Sequence, residues 1–220
     1  MRTYTEHRYA ILFYSLLATI VAGPLLETLG LDAGLLEVFL AATLLAAVMP
    51  VSGGTGRRVL LSGLIAVSAM RLGATCFDQP VASNVGLALW TFVALFAAAG
   101  AIRFAFRARS VDREHLYAAL DAYLLFGVFL GVLYCTLERA WPASLAVAGQ
   151  DSAEPLSLPT SIYFSFVTLV TLGYGDVLPR SEVARGLAVV EAVTGQLYLT
   201  VMIAHLVGLH VRTPTSGKEP

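Results

Sequence analysis

The chain has 220 residues, of which 57% are hydrophobic and only 13% are charged, and its formal net charge is -1. An ordinary soluble domain carries about 25% charged residues, so this composition excludes a soluble fold and indicates a polytopic membrane protein. The low net charge also argues against nucleic acid as a partner, because no basic field is present to hold phosphates. The two cysteines, Cys76 and Cys135, are too few for a disulfide framework or a zinc site, and we expect both to be packed and unpaired.

Six apolar segments follow one another along the chain, each close to the roughly 20 residues that a membrane span needs. They lie near residues 9–29, 35–51, 59–77, 84–106, 116–138 and 185–209. Polar or turn-forming residues separate them. The sequence therefore predicts an all-α membrane protein with six transmembrane helices.

Basic residues are concentrated on one side of this arrangement. If the N-terminus is cytoplasmic, the inner face holds Arg2, Arg8, Arg57, Arg58, Arg103, Arg107, Arg109, Arg113, Arg212 and Lys218. The outer face receives only Arg139, Arg180 and Arg185, whereas acids such as Glu138 and Asp176 lie toward it. The positive-inside rule then predicts a multi-pass protein of the cell membrane with both termini in the cytoplasm.

The fourth segment has no arginine before Arg103, close to its cytoplasmic end. A voltage sensor needs several arginines spaced along one span. We therefore predict that residues 1–115 form a four-span membrane domain that does not sense voltage. Because no catalytic or ligand-binding pattern is recognisable in the chain, we expect neither enzyme activity nor a cofactor.

A shorter apolar run, residues 159–170, lies between the last two segments. It is too short to cross the membrane, and Pro159 suits a first helical turn. We interpret the run as a re-entrant half-helix whose unpaired C-terminal carbonyls place partial negative charge at mid-membrane. The sequence TLGYGD, residues 171–176, follows it directly. A loop at this depth is tolerated only where it is buried in protein or lines a water-filled path.

The TLGYGD sequence resembles the selectivity filter of potassium channels, in which four loops surround one axis and backbone carbonyls replace the water around K⁺. The resemblance covers residues 116–209 and implies a two-span pore domain followed by a short cytoplasmic tail, residues 210–220. It implies a homotetramer that contacts membrane lipids and conducts K⁺. The implied ion ligands are oxygens of Thr171, Leu172, Gly173 and Tyr174, with Gly175 and Asp176 at the outer mouth.

Three side chains are candidates for supporting this filter. Tyr163 stands where many potassium channels carry a tryptophan near the filter aspartate, so the resemblance implies a hydrogen bond from Tyr163 to Asp176. Glu191 is an acid within a span, which is costly unless it is paired or wetted. We expect Glu191 to brace the filter through Thr168 or Ser165.

The last segment supplies a candidate cavity and gate. Gly195 stands where potassium channels often bend their inner helix, and it suits either a hinge or close helix packing. Four further residues recur at helical spacing and are expected to line a cavity that closes by dewetting, namely Gln196, Leu199, Ile203 and Val207. His205 and His210, near the inner mouth, suit a helix end better than a pH sensor.

The predicted function is passive, potassium-selective conduction. A weakly selective cation channel has the same fold, although Tyr174 and Gly175 favour selectivity. A secondary transporter predicts an inverted repeat, and the first three segments contain no second interruption like TLGYGD. A membrane-embedded enzyme is disfavoured because no segment carries a metal-ligand cluster or a serine–histidine pairing.

Overall fold

The computed structural model describes residues 8–29, 33–48, 55–76, 80–106, 113–149 and 156–212. These residues form helices at every predicted apolar segment. In chain order the elements are α1 (Arg8–Thr28), α2 (Ala33–Val48), α3 (Thr55–Cys76), α4 (Pro80–Phe106), α5 (Arg113–Ala140), β1 (Leu145–Val147), α6 (Leu158–Leu169), β2 (Val177–Pro179) and α7 (Glu182–Arg212).

Four of the described helices are long and apolar enough to cross a membrane. The qualifying stretches are Arg8–Leu25 of α1, Ala88–Ala105 of α4, Arg113–Ala140 of α5 and Glu182–Gly208 of α7. The apolar stretches of α2 and α3, Val38–Ala47 and Leu61–Met70, are shorter. The 16 residues of α2 extend about 24 Å, which is less than a hydrocarbon core of about 30 Å. Helices are therefore present at all six segments, while six full spans stay a prediction.

The largest hydrophobic core joins the N-terminal helices to α5. Leu16 of α1, Leu40 of α2, Leu64 of α3 and Trp90 of α4 are buried in one cluster with Leu125 of α5. A second core lies around the half-helix, where α5, α6, β2 and α7 contribute Tyr134, Phe164, Val177 and Ala184. The first core therefore connects the two sides of the predicted boundary at residue 115.

The half-helix α6 lies within one residue of its predicted bounds. The hydroxyl of Ser157 accepts a hydrogen bond from the Thr160 N–H at 3.2 Å, and Pro159 occupies the first turn, where no intrahelical N–H is needed. The filter then returns the chain from the end of α6 to β2. This order of half-helix, loop and long helix is the one that the sequence predicts.

Two short strands depart from the all-α prediction. Strands β1 and β2 pair antiparallel, with Leu145 opposite Pro179, Ala146 opposite Leu178 and Val147 opposite Val177. Strands of three residues are too short to show the alternating pattern by which strands are recognised. Their pairing joins the chain before α6 to the chain after the filter.

Candidate functional site

The backbone of the filter is fixed against the C-terminal end of α6. The N–H of Leu172 donates to the carbonyl of Val167 at 2.9 Å, and the N–H of Thr171 donates to the carbonyl of Thr168 at 3.0 Å. The N–H of Gly173 also donates to Val167, at 3.4 Å. The carbonyls of Val167 and Thr168 are therefore occupied, which corrects the expectation that the carbonyls at this helix end are unpaired.

This arrangement also fixes the direction of the filter carbonyls. The described residues contain no cis peptide bond, and in a trans peptide the C=O points opposite to the N–H of the next residue. Because the N–H groups of Leu172 and Gly173 point at α6, the carbonyls of Thr171 and Leu172 point away from it. The filter thus presents backbone oxygens on the side opposite to its supporting helix.

Left-handed backbone conformations alternate along the filter. The φ angles of Thr171, Gly173 and Gly175 are 59°, 57° and 80°. Alternating right- and left-handed residues turn successive N–H groups toward one side, which leaves their carbonyls on the other. Glycine adopts this conformation freely, whereas Thr171 does so at a cost of about 1 to 3 kcal/mol.

The filter is exposed in the single chain. The side chains of Leu172 and Tyr174 are 55% and 68% exposed, and every residue from 170 to 176 is exposed. No group of three His, Cys, Asp or Glu residues is placed to hold a metal ion in the part of the chain that the structure describes. The assignment of the filter's backbone oxygens as cation ligands stays a prediction.

Asp176 lies at the end of the filter and is held from three directions. The hydroxyl of Tyr163 donates to its Oδ2 at 2.6 Å, which is the contact that the sequence predicts. The N–H of Val177 donates to Oδ1 at 3.0 Å, and the N–H of Ala148 donates to the backbone carbonyl at 2.7 Å. The hydrogen bond from Tyr163 holds the pKa of Asp176 below its ordinary value.

Glu191 is fully buried behind the half-helix. The hydroxyl of Tyr134 donates to its Oε2 at 2.9 Å, and the Oγ of Ser165 lies 2.5 Å from its Oε1. Of the two partners that the sequence suggests, Ser165 makes the contact, whereas the carbonyl of Thr168 bonds the filter instead. Tyr134 was not predicted from the sequence. A tyrosine within a predicted span is its only signal, and that signal does not name the acid it contacts.

Glu138 holds the loop that leads from α5 to β1. Its side chain is buried, with Oε1 accepting from the N–H of Ala143 at 2.9 Å and Oε2 accepting from the N–H of Leu145 at 2.8 Å. Because β1 pairs with β2, this carboxylate also fixes the chain that leaves the filter. From the sequence, Glu138 was predicted only to lie among the outer-face acids. An acid at a helix end before a turn is nevertheless a recognisable signal of a side chain that accepts hydrogen bonds from the turn.

Three glycines allow helices to approach the half-helix closely. A Cβ added to Gly131 of α5 would lie 2.6 Å from the Cα of Ile162, and one added to Gly127 would lie 2.7 Å from the ring of Phe166. The GVFLG sequence from 127 to 131 is a small-xxx-small motif of the kind that brings membrane helices together. The sequence analysis missed this motif.

Gly195 of α7 lies against the C-terminal end of α6. An added Cβ would lie 2.6 Å from the Cδ1 of Leu169 and 3.0 Å from its carbonyl oxygen. This close contact with Leu169 supports the packing interpretation of Gly195. The hinge interpretation stays a prediction.

The other candidate gate residues lie along α7. Gln196, Ile203 and Val207 are exposed and Leu199 is partly exposed, whereas Ala184, Glu191 and Met202 on the other side of the helix are buried. The side chain of His210 and that of Cys76 lie outside the described residues. The lining of a cavity by the four gate residues stays a prediction.

The sequence of this part of the chain is similar to known channels. Residues 118–211 match the family described as ion channel. The inward rectifier potassium channel Kirbac3.1 of Paramagnetospirillum magnetotacticum is 36% identical over 107 residues, which are 47% of this chain and 36% of that protein. The TWiK family of potassium channels protein 7 of Caenorhabditis elegans is 39% identical over 56 residues, which are 26% of this chain and 10% of that protein. The chain thus spans well under two thirds of either relative, and no solved structure matches it with significance.

Proposed function

We propose that this membrane protein, whose residues 118–211 match an ion-channel family, conducts K⁺ passively and selectively through the filter of residues 171–175. The family match and the two potassium-channel relatives support passive conduction. The observation that carries the proposal is the backbone of the filter, in which the N–H groups of residues 171–173 bond to α6 and the carbonyls of Thr171 and Leu172 face the opposite side. In this role the oxygens of Thr171, Leu172, Gly173 and Tyr174 replace the hydration shell of the ion.

The proposed assembly is a homotetramer in the cell membrane. One chain presents carbonyls from one side only, and a dehydrated K⁺ needs oxygens around its whole circumference. The exposed side chains of Leu172 and Tyr174 also leave apolar surface beside the filter for neighbouring copies to cover. Residues 116–209 are the proposed pore domain, residues 1–115 a domain that does not sense voltage, and both termini are cytoplasmic.

The proposal is tested by K⁺ flux into liposomes that contain the purified protein, with Na⁺ substituted for K⁺ in parallel. Gly173→Ala and Gly63→Ala form a matched pair, because an added Cβ meets nothing within 4 Å at either position, and only Gly173 has a positive φ. We expect Gly173→Ala to abolish the K⁺ flux and Gly63→Ala to retain it. Only Gly173→Ala puts a residue with a side chain into a left-handed backbone conformation, so only this variant strains the filter.

The other outcomes discriminate between functions. Equal fluxes of K⁺ and Na⁺ would establish the weakly selective cation channel. Uptake that requires a second, coupled ion would establish a secondary transporter. Absence of flux together with absence of K⁺ binding by calorimetry would contradict the filter assignment itself.

A further inference from the structure

Two hydroxyl groups and one carboxyl group form a chain of contacts behind the half-helix. The Oη of Tyr134 lies 2.9 Å from Oε2 of Glu191, and the Oγ of Ser165 lies 2.5 Å from Oε1. The same Oγ lies 2.8 Å from the backbone carbonyl oxygen of Gly127. All three separations are hydrogen-bond distances between oxygens, and each of them requires one proton between its two atoms.

The hydroxyl groups supply only two of these three protons. Tyr134 and Ser165 have one each, and the carbonyl of Gly127 has none. The proton of Ser165 must therefore point to Gly127, since two oxygens 2.8 Å apart repel each other without one. The contact between Ser165 and Glu191 then needs a proton from the carboxyl group.

We propose that Glu191 is a protonated carboxylic acid that donates a hydrogen bond to Ser165. In this arrangement Ser165 donates onward to the carbonyl of Gly127, and Tyr134 donates to the other oxygen of Glu191. Every contact then has one donor, one acceptor and one proton. A carboxylate at this position would leave one of the three contacts without a proton.

The surroundings of Glu191 favour the neutral form. Its side chain has 0% exposure in the single chain, so neither bulk water nor a neighbouring copy reaches it. The titratable groups that face it are the phenols of Tyr134 and Tyr123 on α5, and the Tyr123 hydroxyl bonds the carbonyl of Leu169 at 3.3 Å. The half-helix contributes Ser165, and the contacts described for Glu191 include no cationic side chain. An unpaired buried charge is strongly disfavoured.

The proton makes Glu191 a positioning residue for the filter. The chain of hydrogen bonds ties α7 to α5 through Ser165 of the half-helix, two residues before Val167, whose carbonyl holds the filter backbone. Loss of the proton at alkaline pH removes one link. We expect K⁺ flux to decline as the pH rises through that range, a consequence that rests on the proposed function, whereas the protonation itself does not.

Infrared spectroscopy of the full-length protein tests the proton directly. At neutral pH we expect a carboxylic-acid carbonyl band that shifts when the glutamates are isotope-labelled. The band should be lost in Glu191→Gln and retained in Glu138→Gln. Glu138 is the matched control because it is also buried, and both of its oxygens accept from backbone N–H groups, so its contacts need no proton from the carboxyl group.

The pH profile of K⁺ flux adds a second measurement, which Glu191→Gln would leave unchanged if Glu191 only filled space. A glutamine amide has an N–H in place of the acid O–H and keeps all three contacts, so Glu191→Gln should lose the alkaline decline. If that variant does not fold, Ser165→Ala takes its place, and we expect the wild-type band to change frequency because its acceptor is gone.

Three results would overturn the proposal: no labelled acid band in the wild type, a band that survives in Glu191→Gln, or a band unaffected by Ser165→Ala. A band without any K⁺ flux supports the proton and counts against the channel function instead. The two proposals therefore fail separately.

Discussion

A single hydroxyl group connects the half-helix to the outer end of the filter. Tyr163 lies in the second turn of α6 and Asp176 lies 13 residues later, after the chain has reversed direction, yet their oxygens are 2.6 Å apart. A hydrogen bond to a charged acceptor is stronger than one between neutral groups. At the scale of single residues, one phenol therefore ties the Oδ2 of Asp176 to the half-helix.

We expect Tyr163→Phe to destabilise the outer end of the filter by about 1 kcal/mol, the central value for a net hydrogen bond, because this bond is exposed in the single chain. Unfolding of the purified protein in a denaturing detergent measures the change. A double-mutant cycle with Asp176→Asn isolates the interaction. Strictly additive effects of the two substitutions would contradict the assigned bond.

The same bond predicts a pH dependence. Because the pKa of Asp176 is lowered in the folded protein, the stabilisation is complete above the ordinary aspartate pKa of about 3.9 and is lost as the pH falls through the lowered value. The wild type and Tyr163→Phe should thus differ by a constant amount near neutral pH and converge in acid. Unfolding curves measured over a series of pH values check this. A difference that grows as the pH falls would have the wrong sign.

Glu138→Gln is expected to destabilise the protein by about 1 to 3 kcal/mol, the cost of leaving a buried donor unsatisfied. The amide nitrogen of glutamine cannot accept from the N–H of Ala143 or Leu145, so one of the two bonds is lost. Unfolding in detergent measures the effect, and Glu182→Gln is the control, because Glu182 is largely exposed and its described ion pair is with the exposed Arg185. Equal stability of the two variants would contradict the role of Glu138.

At this scale the sequence predicted contacts that are local to the filter and missed those between distant helices. The bond from Tyr163 to Asp176 was implied by the resemblance to potassium channels, in which a residue at the position of Tyr163 lies near the filter aspartate. Tyr134 is 57 residues from Glu191, and no periodicity within one helix relates such residues. Their pairing depends on the relative rotation of α5 and α7, which a single sequence does not specify.

At the scale of elements, close contact between α5 and α6 determines where the half-helix lies. Gly131 meets the backbone of Ile162, which cannot move aside as a flexible side chain can. The backbones of α5 and of the half-helix α6 therefore lie in close contact at this point. Displacement of α6 would move the carbonyls that hold the filter.

We expect Gly131→Ala to destabilise the protein and to reduce K⁺ flux, because its Cβ would lie 2.6 Å from the Cα of Ile162. Overpacking of this kind costs about 1 to 3 kcal/mol. Gly63→Ala is the control, since an added Cβ there meets nothing within 4 Å and alanine favours a helix. A Gly131→Ala protein as stable as Gly63→Ala would show that the two helices are further apart.

The elements themselves were largely predictable. The length of the apolar run and Pro159 placed the half-helix to within one residue, because capping chemistry is local. The strands β1 and β2 were not predicted because each is stabilised by pairing with the other, and the half-helix separates them in the sequence. Neither strand has a recognisable pattern of its own. Helix α2, Ala33–Val48, covers the described part of the second predicted segment, and residues 49–51 of that segment lie outside the described residues.

At the scale of the whole molecule, the N-terminal helices α1 to α4 share one core with the candidate pore unit, which comprises α5 to α7. Leu16 of α1 is fully buried in the cluster that contains Leu125 and Val128 of α5. The sequence analysis divided the chain at residue 115 from the pattern of segments. Helix-to-helix contact across that boundary was not predictable, because it depends on which apolar faces meet.

We expect Leu16→Ala to destabilise the pore unit as well as α1, by about 2 to 5 kcal/mol for a cavity in a packed core. Leu17→Ala is the neighbouring control, because Leu17 is 37% exposed. The fluorescence of Trp141, which follows α5, reports on the pore unit in a Trp90→Phe background. An unchanged Trp141 transition in Leu16→Ala would show that the two parts unfold independently.

The pairing of β1 with β2 has a consequence for the length of the chain between them. It closes a loop that contains the half-helix and the filter, and the entropy of closing a flexible loop changes by only about 0.6 kcal/mol when its length doubles. We therefore expect residues added after Gly149 and before Leu156 to cost little, whereas the N–H groups of residues 170–173 are committed to hydrogen bonds with α6. An epitope or fluorophore sequence inserted in the first of these connections would mark one face of the protein in living cells and leave the register of the filter unchanged.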